Sequence, residues 1–412
     1  MTELTYELLS SAVAGGHVAI RSRLGLQPAG GQGTKIMPPT FGVADTAAHK
    51  YAVEERREPD GTVSNTVLLD SVASQANRME EALLEGWDLK ELDFPVAFVD
   101  FTSAEGLYDL GRLSSLEAPH RLADAIFRDS LLGGTLFRLS DVGRAVTDAT
   151  PANAAAMLAY APHALLFGMW DSTGPKGGLG SKFQRAIVSE IVGYDAAIGA
   201  KVGSRIDPFD IRRGVDGILP AKNEDETWTF DPAEATAKAK ALRPSEINHG
   251  NIVPSIDDRS GGVTVTRAEQ VVVLSLPALR RLRFPQSLDG APVAPEGRRR
   301  AEVAARTAVA ALGVAAMAYQ HELDFDLRSR CLLIPEHAPR IELVGRDGGE
   351  PEVIDLSRHS AQEVLSQAAL VAADHGVGFG DREIVLQPAP KLIELLRRSR
   401  QVAADEKPKA DA

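Results

Sequence analysis

The chain has 412 residues, of which 44% are hydrophobic and 25% charged, with a formal net charge of −12 and a single cysteine. This is the balance of an ordinary folded protein of one elaborated domain or two. It excludes a surface that coats nucleic acid throughout, a disulfide framework and a cysteine-built metal site. A localised basic track stays open, because the distribution of charge and not its sum sets such a footprint. The first residues lack a basic stretch followed by an apolar run, and no apolar run approaches the roughly 18 residues of a membrane span, so a cytosolic, cytoplasmic location is expected.

Residues 17–26 alternate as a strand, with Arg21 and Arg23 on the face of Ala19. The strand leads into a glycine-rich loop that carries Lys35, ends at Pro38 and Pro39, and lacks the third glycine of a dinucleotide fingerprint. Residues 51–58 and 62–68 read as a hairpin around Pro59, Asp60 and Gly61. A helix is expected from an Asp70 N-cap through Leu84. Val72, Ala76, Met79 and Leu83 form its apolar stripe, Ser71, Gln75 and Arg78 the opposite side, and Asn77 lies between. That polar side holds amides and arginine where a plain surface helix holds Glu and Lys.

Residues 95–101 read as a buried strand, 122–132 as a helix, 135–139 as a short strand and 152–160 as a helix. An apolar run, 163–170, and a period-two run, 183–192, are then expected to make a hairpin. Its loop holds Gly174, Gly177, Gly178 and Gly180 with Lys176, Ser181 and Lys182, and Arg185 opens the outgoing strand. Glycines expose backbone N–H groups and lysines add point charges, a chemistry that suits phosphate. It is no nucleotide P-loop, because Gly180, Ser181 and Lys182 reverse the Gly-Lys-Ser/Thr order and lead into a strand. A flexible loop with solvated lysines has the same appearance.

From 201 to 262 the composition shifts to scattered charge and few apolar runs, with Pro208, Pro220, Pro232, Pro244 and Pro254, which reads as an inserted arm. A strand at 270–276, the basic run Arg280-Arg-Leu-Arg and an alanine-rich helix at 296–321 follow. Next come a strand at 327–334 holding Cys331 as a core thiol, a hairpin across Asp347, and helices at 361–375 and 390–402. A polar tail, 403–412, is expected to be disordered. The expected fold class is α+β. The element order contains a ferredoxin-like β-α-β-β-α-β core with large insertions, the architecture of RNA-recognition (RRM) domains.

No Gly-x-Ser-x-Gly elbow is present, His321-Glu322 lacks the second histidine of a zinc-protease helix, and the nine histidines are scattered. Asp100 and Asp171 at strand ends, with Asp45 in an early loop, are the candidates for Mg²⁺-assisted phosphodiester chemistry, although such acids more often cap turns. No cofactor and no resident metal are expected. The alternative to chemistry is grip. Arg21, Arg23, Lys35, Arg78, Lys176, Lys182 and Arg185 come from four segments that a ferredoxin-like sheet would bring to one side, and each phosphate they neutralise releases counterions. Aromatics are 5% of the chain, so backbone contact is expected to dominate over base stacking.

Three long stretches, Gly30-Gly-Gln-Gly-Thr-Lys-Ile-Met-Pro-Pro-Thr, Leu68-Leu-Asp-Ser-Val-Ala-Ser-Gln-Ala-Asn-Arg-Met-Glu-Glu-Ala-Leu and Trp170-Asp-Ser-Thr-Gly-Pro-Lys-Gly-Gly-Leu-Gly-Ser-Lys-Phe, closely resemble the backbone subunit of type I-G (formerly I-U) CRISPR effectors, the Cas-seven group of the RAMP superfamily. The resemblance implies a hand-like RRM fold with a protruding thumb; the palm is expected from 1–200 and 263–400, and the thumb from the 201–262 arm in preference to the 51–68 hairpin. Copies would polymerise head to tail along a guide RNA (crRNA) within the Cascade ribonucleoprotein of antiviral defence, kinking the guide and presenting it for pairing with target DNA. The protein would read backbone shape and leave sequence to base pairing.

Further partners implied are the fused processing subunit, the large subunit and a recruited helicase-nuclease. Head-to-tail packing would bury acidic against basic faces and leave the guide channel basic. The RNA-binding set would be Arg21, Arg23, Lys35, Gln75, Asn77, Arg78, Lys176, Ser181, Lys182 and Arg185. Type III relatives cut RNA with a loop aspartate, and Asp45 occupies a comparable loop without a wider motif around it. The resemblance therefore implies no catalysis, with a metal-dependent ribonuclease using Asp45 as the alternative.

Overall fold

The computed structural model describes residues 2–172, 181–223 and 226–405. In chain order its main elements are helix α1 (Tyr6–Ala14), strands β1 (His17–Pro28), β2 (Val53–Arg57) and β3 (Val63–Asp70), helix α2 (Val72–Asp88), strand β4 (Val96–Asp100) and helix α3 (Pro162–Phe167). Strands β5 (Ile187–Tyr194), β6 (Lys201–Arg205), β7 (Ile252–Asp257) and β8 (Arg267–Ser275) follow, then helices α4 (Leu276–Arg280) and α5 (Pro295–Glu322). Strands β9 (Arg340–Gly345) and β10 (Glu352–Asp355), helix α6 (Arg358–Asp374), strand β11 (Glu383–Pro388) and helix α7 (Pro390–Asp405) close the chain. The fold is α+β.

Period-two patterning sets the layers of the main sheet, where the strands β10-β9-β1-β8-β5-β3-β2 lie in that order with each neighbouring pair antiparallel, and Thr2–Glu3 adds in parallel at the edge of β10. Ile20, Ser22, Leu24 and Leu26 of β1 and Ala268, Gln270, Val272 and Leu274 of β8 are buried, while the residues alternating with them are partly or fully open. Helices α1, α2 and α6 pack around α5 on the buried side. A smaller sheet pairs β4 with β11 in parallel.

Helix α5 is the pillar of the core: every residue from Ala301 to Gln320 except Val303 is buried. By composition it is apolar enough to cross a membrane, which corrects the expectation that no segment is, yet 94% of that window is buried inside the protein. Its alanines let neighbours come close. A Cβ on Gly86 of α2 would stand 2.5 Å from the Tyr319 ring, so glycine sets that crossing.

Several local expectations change. The apolar run before the glycine loop is a helix, α3, because Pro162 occupies its first turn and Gly168, at φ +84°, stops it. Among the described residues Met169–Trp170 then pair with Lys182–Phe183, and the Asp171 N–H donates to the Ser181 carbonyl at 2.9 Å beyond them. The helix expected over 122–132 is split into a 3-10 turn, a short helix capped by Asp124 and the strand Ser130–Leu132. The N-cap of α2 is Ser71, whose Oγ accepts from the Ser74 N–H, and Asp70 is the last residue of β3. The strand expected over 327–334 is interrupted by a turn with Arg330 at φ +61°. Cys331 is buried, and burial pushes its thiol up to about 11. Helix α7 extends to Asp405, and the remainder of the tail lies outside the described residues.

Between β5 and β8 the chain leaves the sheet as the arm. Ala197–Ile198 pair with Val263–Thr264 at its root, and β6 pairs with β7 beyond as a two-stranded ribbon with Val202 opposite Ile256. Val202 is 79% exposed, Ile256 75%, Ile206 86% and Phe209 84%.

Candidate functional site

Strand alternation places Arg21 and Arg23 on the open face of the sheet, and neighbouring strands answer them with acids. Arg21 Nη2 stands 2.6 Å from Glu342, whose other oxygen accepts from Arg340 at 2.7 Å, and Arg23 Nη2 stands 2.6 Å from Glu269. Burial opposes ionisation of Glu342, but Arg21 and Arg340 outweigh it and hold the carboxyl below its usual range. Arg267 pairs with Glu58 at 2.8 Å and lies 3.7 Å from the centre of the Tyr194 ring. These groups border a cavity of about 310 Å³ in which Arg21, Arg23, Arg267 and Arg340 meet Glu269, Glu336 and Glu342. The face is a mosaic of paired charge.

Helix α2 turns its amide-and-arginine side inward. Gln75 is fully buried: its Nε2 donates to Asp70 at 2.7 Å, and its Oε1 accepts from Ser189 and from Gln270, both at 2.8 Å. Gln270 also donates to Gln320 at 3.0 Å. Asp70, itself fully buried, takes Arg78 Nε at 2.9 Å and Arg328 Nη2 at 3.1 Å, and Arg78 Nη2 reaches the Leu327 carbonyl at 2.7 Å. The residues expected to touch RNA from α2 thus bind the helix to the sheet, apart from Asn77, which is exposed.

A third group gathers at the glycine-loop hairpin. Ser181 is buried and donates to the Ala149 carbonyl at 3.0 Å. Lys182 is exposed, its Nζ 5.3 Å from the centre of the half-exposed Trp170 ring. Arg185 donates to the Phe167 and Val72 carbonyls at 3.1 and 3.2 Å, and burial together with nearby Arg121 lowers its pKa. Arg121 grips Glu80 of α2 with two bonds of 2.6 and 2.7 Å and the Gly168 carbonyl with a third of 2.9 Å, fixing the hairpin stem to the core. Lys176 lies outside the described residues. Lys35 stands at the arm's root, with Nζ 2.7 Å from the Ala200 carbonyl.

The described residues of the expected set fall in several places. Arg21 and Arg23 face out from mid-sheet, Lys35 sits at the arm, Lys182 and Arg185 sit at the hairpin, and Gln75, Arg78 and Ser181 are committed inside the chain. The acids are equally separate. Asp100 accepts from the Thr102 hydroxyl and N–H, which lower its pKa; Asp171 is buried against Arg138; Asp45 is exposed in its loop. Among the described residues no three His, Cys, Asp or Glu side chains gather as a metal-ligand group.

Residues 20–198 match the model of a family described as CRISPR-associated protein GSU0053. Over that stretch, less than half of the 412 residues, the chain is similar to a CRISPR-associated family. The match runs from β1 to just past β5, takes in all ten residues of the expected RNA-binding set, and stops before the arm. No curated protein matches this chain.

Sequence reasoning missed two features of this protein. Glu342 and Glu269, from neighbouring strands, and Glu58, just after β2, neutralise Arg21, Arg23 and Arg267 from more than 200 residues away in sequence, and no local signal pairs them. The arm's exposed apolar residues were individually visible in 201–262, but sparse apolar residues in a proline-rich stretch give no period from which to read a ribbon.

Proposed function

We propose that this protein is the guide-RNA-binding backbone subunit of a type I-G CRISPR effector. Copies pack head to tail along the guide and present it for pairing with target DNA. The same assembly meets the processing and large subunits and leaves cutting to a recruited helicase-nuclease. The observation that carries this reading is the arm on the end of the sheet. The order β9-β1-β8-β5, with α2 between β1 and β5 and α5 between β8 and β9, is the order a β-α-β-β-α-β chain adopts, and the arm connects its second and third strands.

A two-stranded ribbon is marginal by itself in water, and large apolar side chains left this open mark a surface that a partner covers. A neighbouring copy and the bases of a kinked guide are that cover. Arg213, Lys238 and Lys240 of the arm are exposed and without an acidic partner among the described residues, which suits them to phosphate. Asp100 and Asp171 already serve Thr102 and Arg138, so the reading assigns the protein no bond-breaking step.

Co-expression with the guide will raise the ratio of absorbance at 260 to 280 nm of the purified protein, and added complementary RNA with Mg²⁺ will leave both strands full-length. Cleavage of either strand would replace this reading with a metal-dependent ribonuclease built on Asp45.

A further inference from the structure

The basic run at 280–283 has no part in the reading so far. Strand β8 starts beside the arm's root at Arg267 and ends at Ser275, where α4 begins, so this run lies at the opposite end of the sheet from the arm. Helix α5 opens soon after. Positions 298, 299, 302 and 306 recur at three- and four-residue spacing, which puts Arg298, Arg299, Glu302 and Arg306 on one side. Arg283, from the turn after α4, faces them across a cleft of about 650 Å³.

The charge in this cleft is unbalanced. Its walls hold four arginines and one acid, Glu302. That carboxylate is already used twice, by Arg283 at 2.9 Å and by Arg306 at 2.8 Å on the same oxygen. Arg306, 9% exposed, also donates Nε and Nη2 to the Leu282 carbonyl at 3.0 and 2.6 Å, which locks the wall in place. Arg298 and Arg299 are exposed and meet no acidic partner among the described residues. In a chain of net charge −12, like charges held around a cleft repel one another until an anion fills it. Guanidinium forks match phosphate oxygens two at a time. The uncharged walls are Ala14, Ala152, Pro285, Pro295 and Val303, without the aromatic anchor that a protein partner's hot spot would use.

We infer that this cleft binds the phosphodiester backbone of a nucleic-acid strand, at a site distinct from the arm. The inference rests on the chain being a nucleic-acid-binding subunit, and its test separates the two. Arg298→Gln with Arg299→Gln in the full chain removes the two unpaired guanidiniums without touching the buried wall. Fluorescence anisotropy with labelled single-stranded RNA and DNA of one sequence, over a salt series, then reads the site.

The variant is expected to bind one or both strands at least tenfold more weakly, with a salt slope shallower by about 1.4 for two lost phosphate contacts, and to unfold at the wild-type midpoint. The strand that loses more is the occupant. Equal affinity and slope for wild type and variant would overturn the cleft while leaving the proposed function standing, as would loss of binding to an acidic polypeptide alone. Wild-type protein that binds neither strand would overturn both.

Discussion

Replacing Ile206, Phe209 and Ile256 of the arm by serine will leave the stability of the isolated chain unchanged and abolish its ordered assembly on guide RNA. The three side chains are 86%, 84% and 75% exposed, so little apolar area is lost from the fold, and a change within about 0.5 kcal/mol is expected by thermal or urea unfolding. Burying a large apolar side chain is worth about 1.5–3 kcal/mol. If a neighbouring copy and the guide cover all three, each junction loses about 4.5 kcal/mol or more, over a thousandfold in affinity at 1.4 kcal/mol per tenfold. Sizing of the guide-loaded protein separates the outcomes: short or absent assemblies with an unchanged unfolding midpoint support the reading, and full-length assemblies contradict it.

Asp70→Ala will act in the opposite way, on the fold. The carboxylate is fully buried and accepts from Gln75, Arg78 and Arg328, drawing β3, α2 and the turn after α5 together. Its removal leaves two guanidiniums and an amide without their acceptor, a loss of about 3–5 kcal/mol where breaking a buried pair strands the partner charge. That is a large share of the roughly 5–15 kcal/mol by which a domain is stable. A urea titration reads it directly, and a variant as stable as wild type would mean the network contributes nothing. Arg78→Ala belongs to the same network, so its loss is expected in the unfolding midpoint.

Asp70 and Gln75 also show where the sequence stops being informative. The unusual composition of the α2 polar side was visible in the sequence, since amides and arginine stood where Glu and Lys are usual. Its meaning was not, because the partners Ser189, Gln270 and Gln320 come from three distant elements, and only their assembly turns that side inward. Strand β1 was legible, its alternation placing Arg21 and Arg23 outward, yet Glu342 and Glu269 neutralise them from strands whose register no local pattern gives. The turn at Pro59, Asp60 and Gly61 and the long α5 were readable from local chemistry alone. Helix α3 was not, because a short apolar run fits a buried helix as well as a strand and the deciding residue, Pro162, precedes it.

The central claim is that copies of this chain add along one strand of RNA at a fixed interval. Native mass measurement of complexes assembled on guides of increasing length tests it most directly. The account predicts a ladder in which each constant increment of RNA adds one protomer. A single protomer per guide at every length would contradict it.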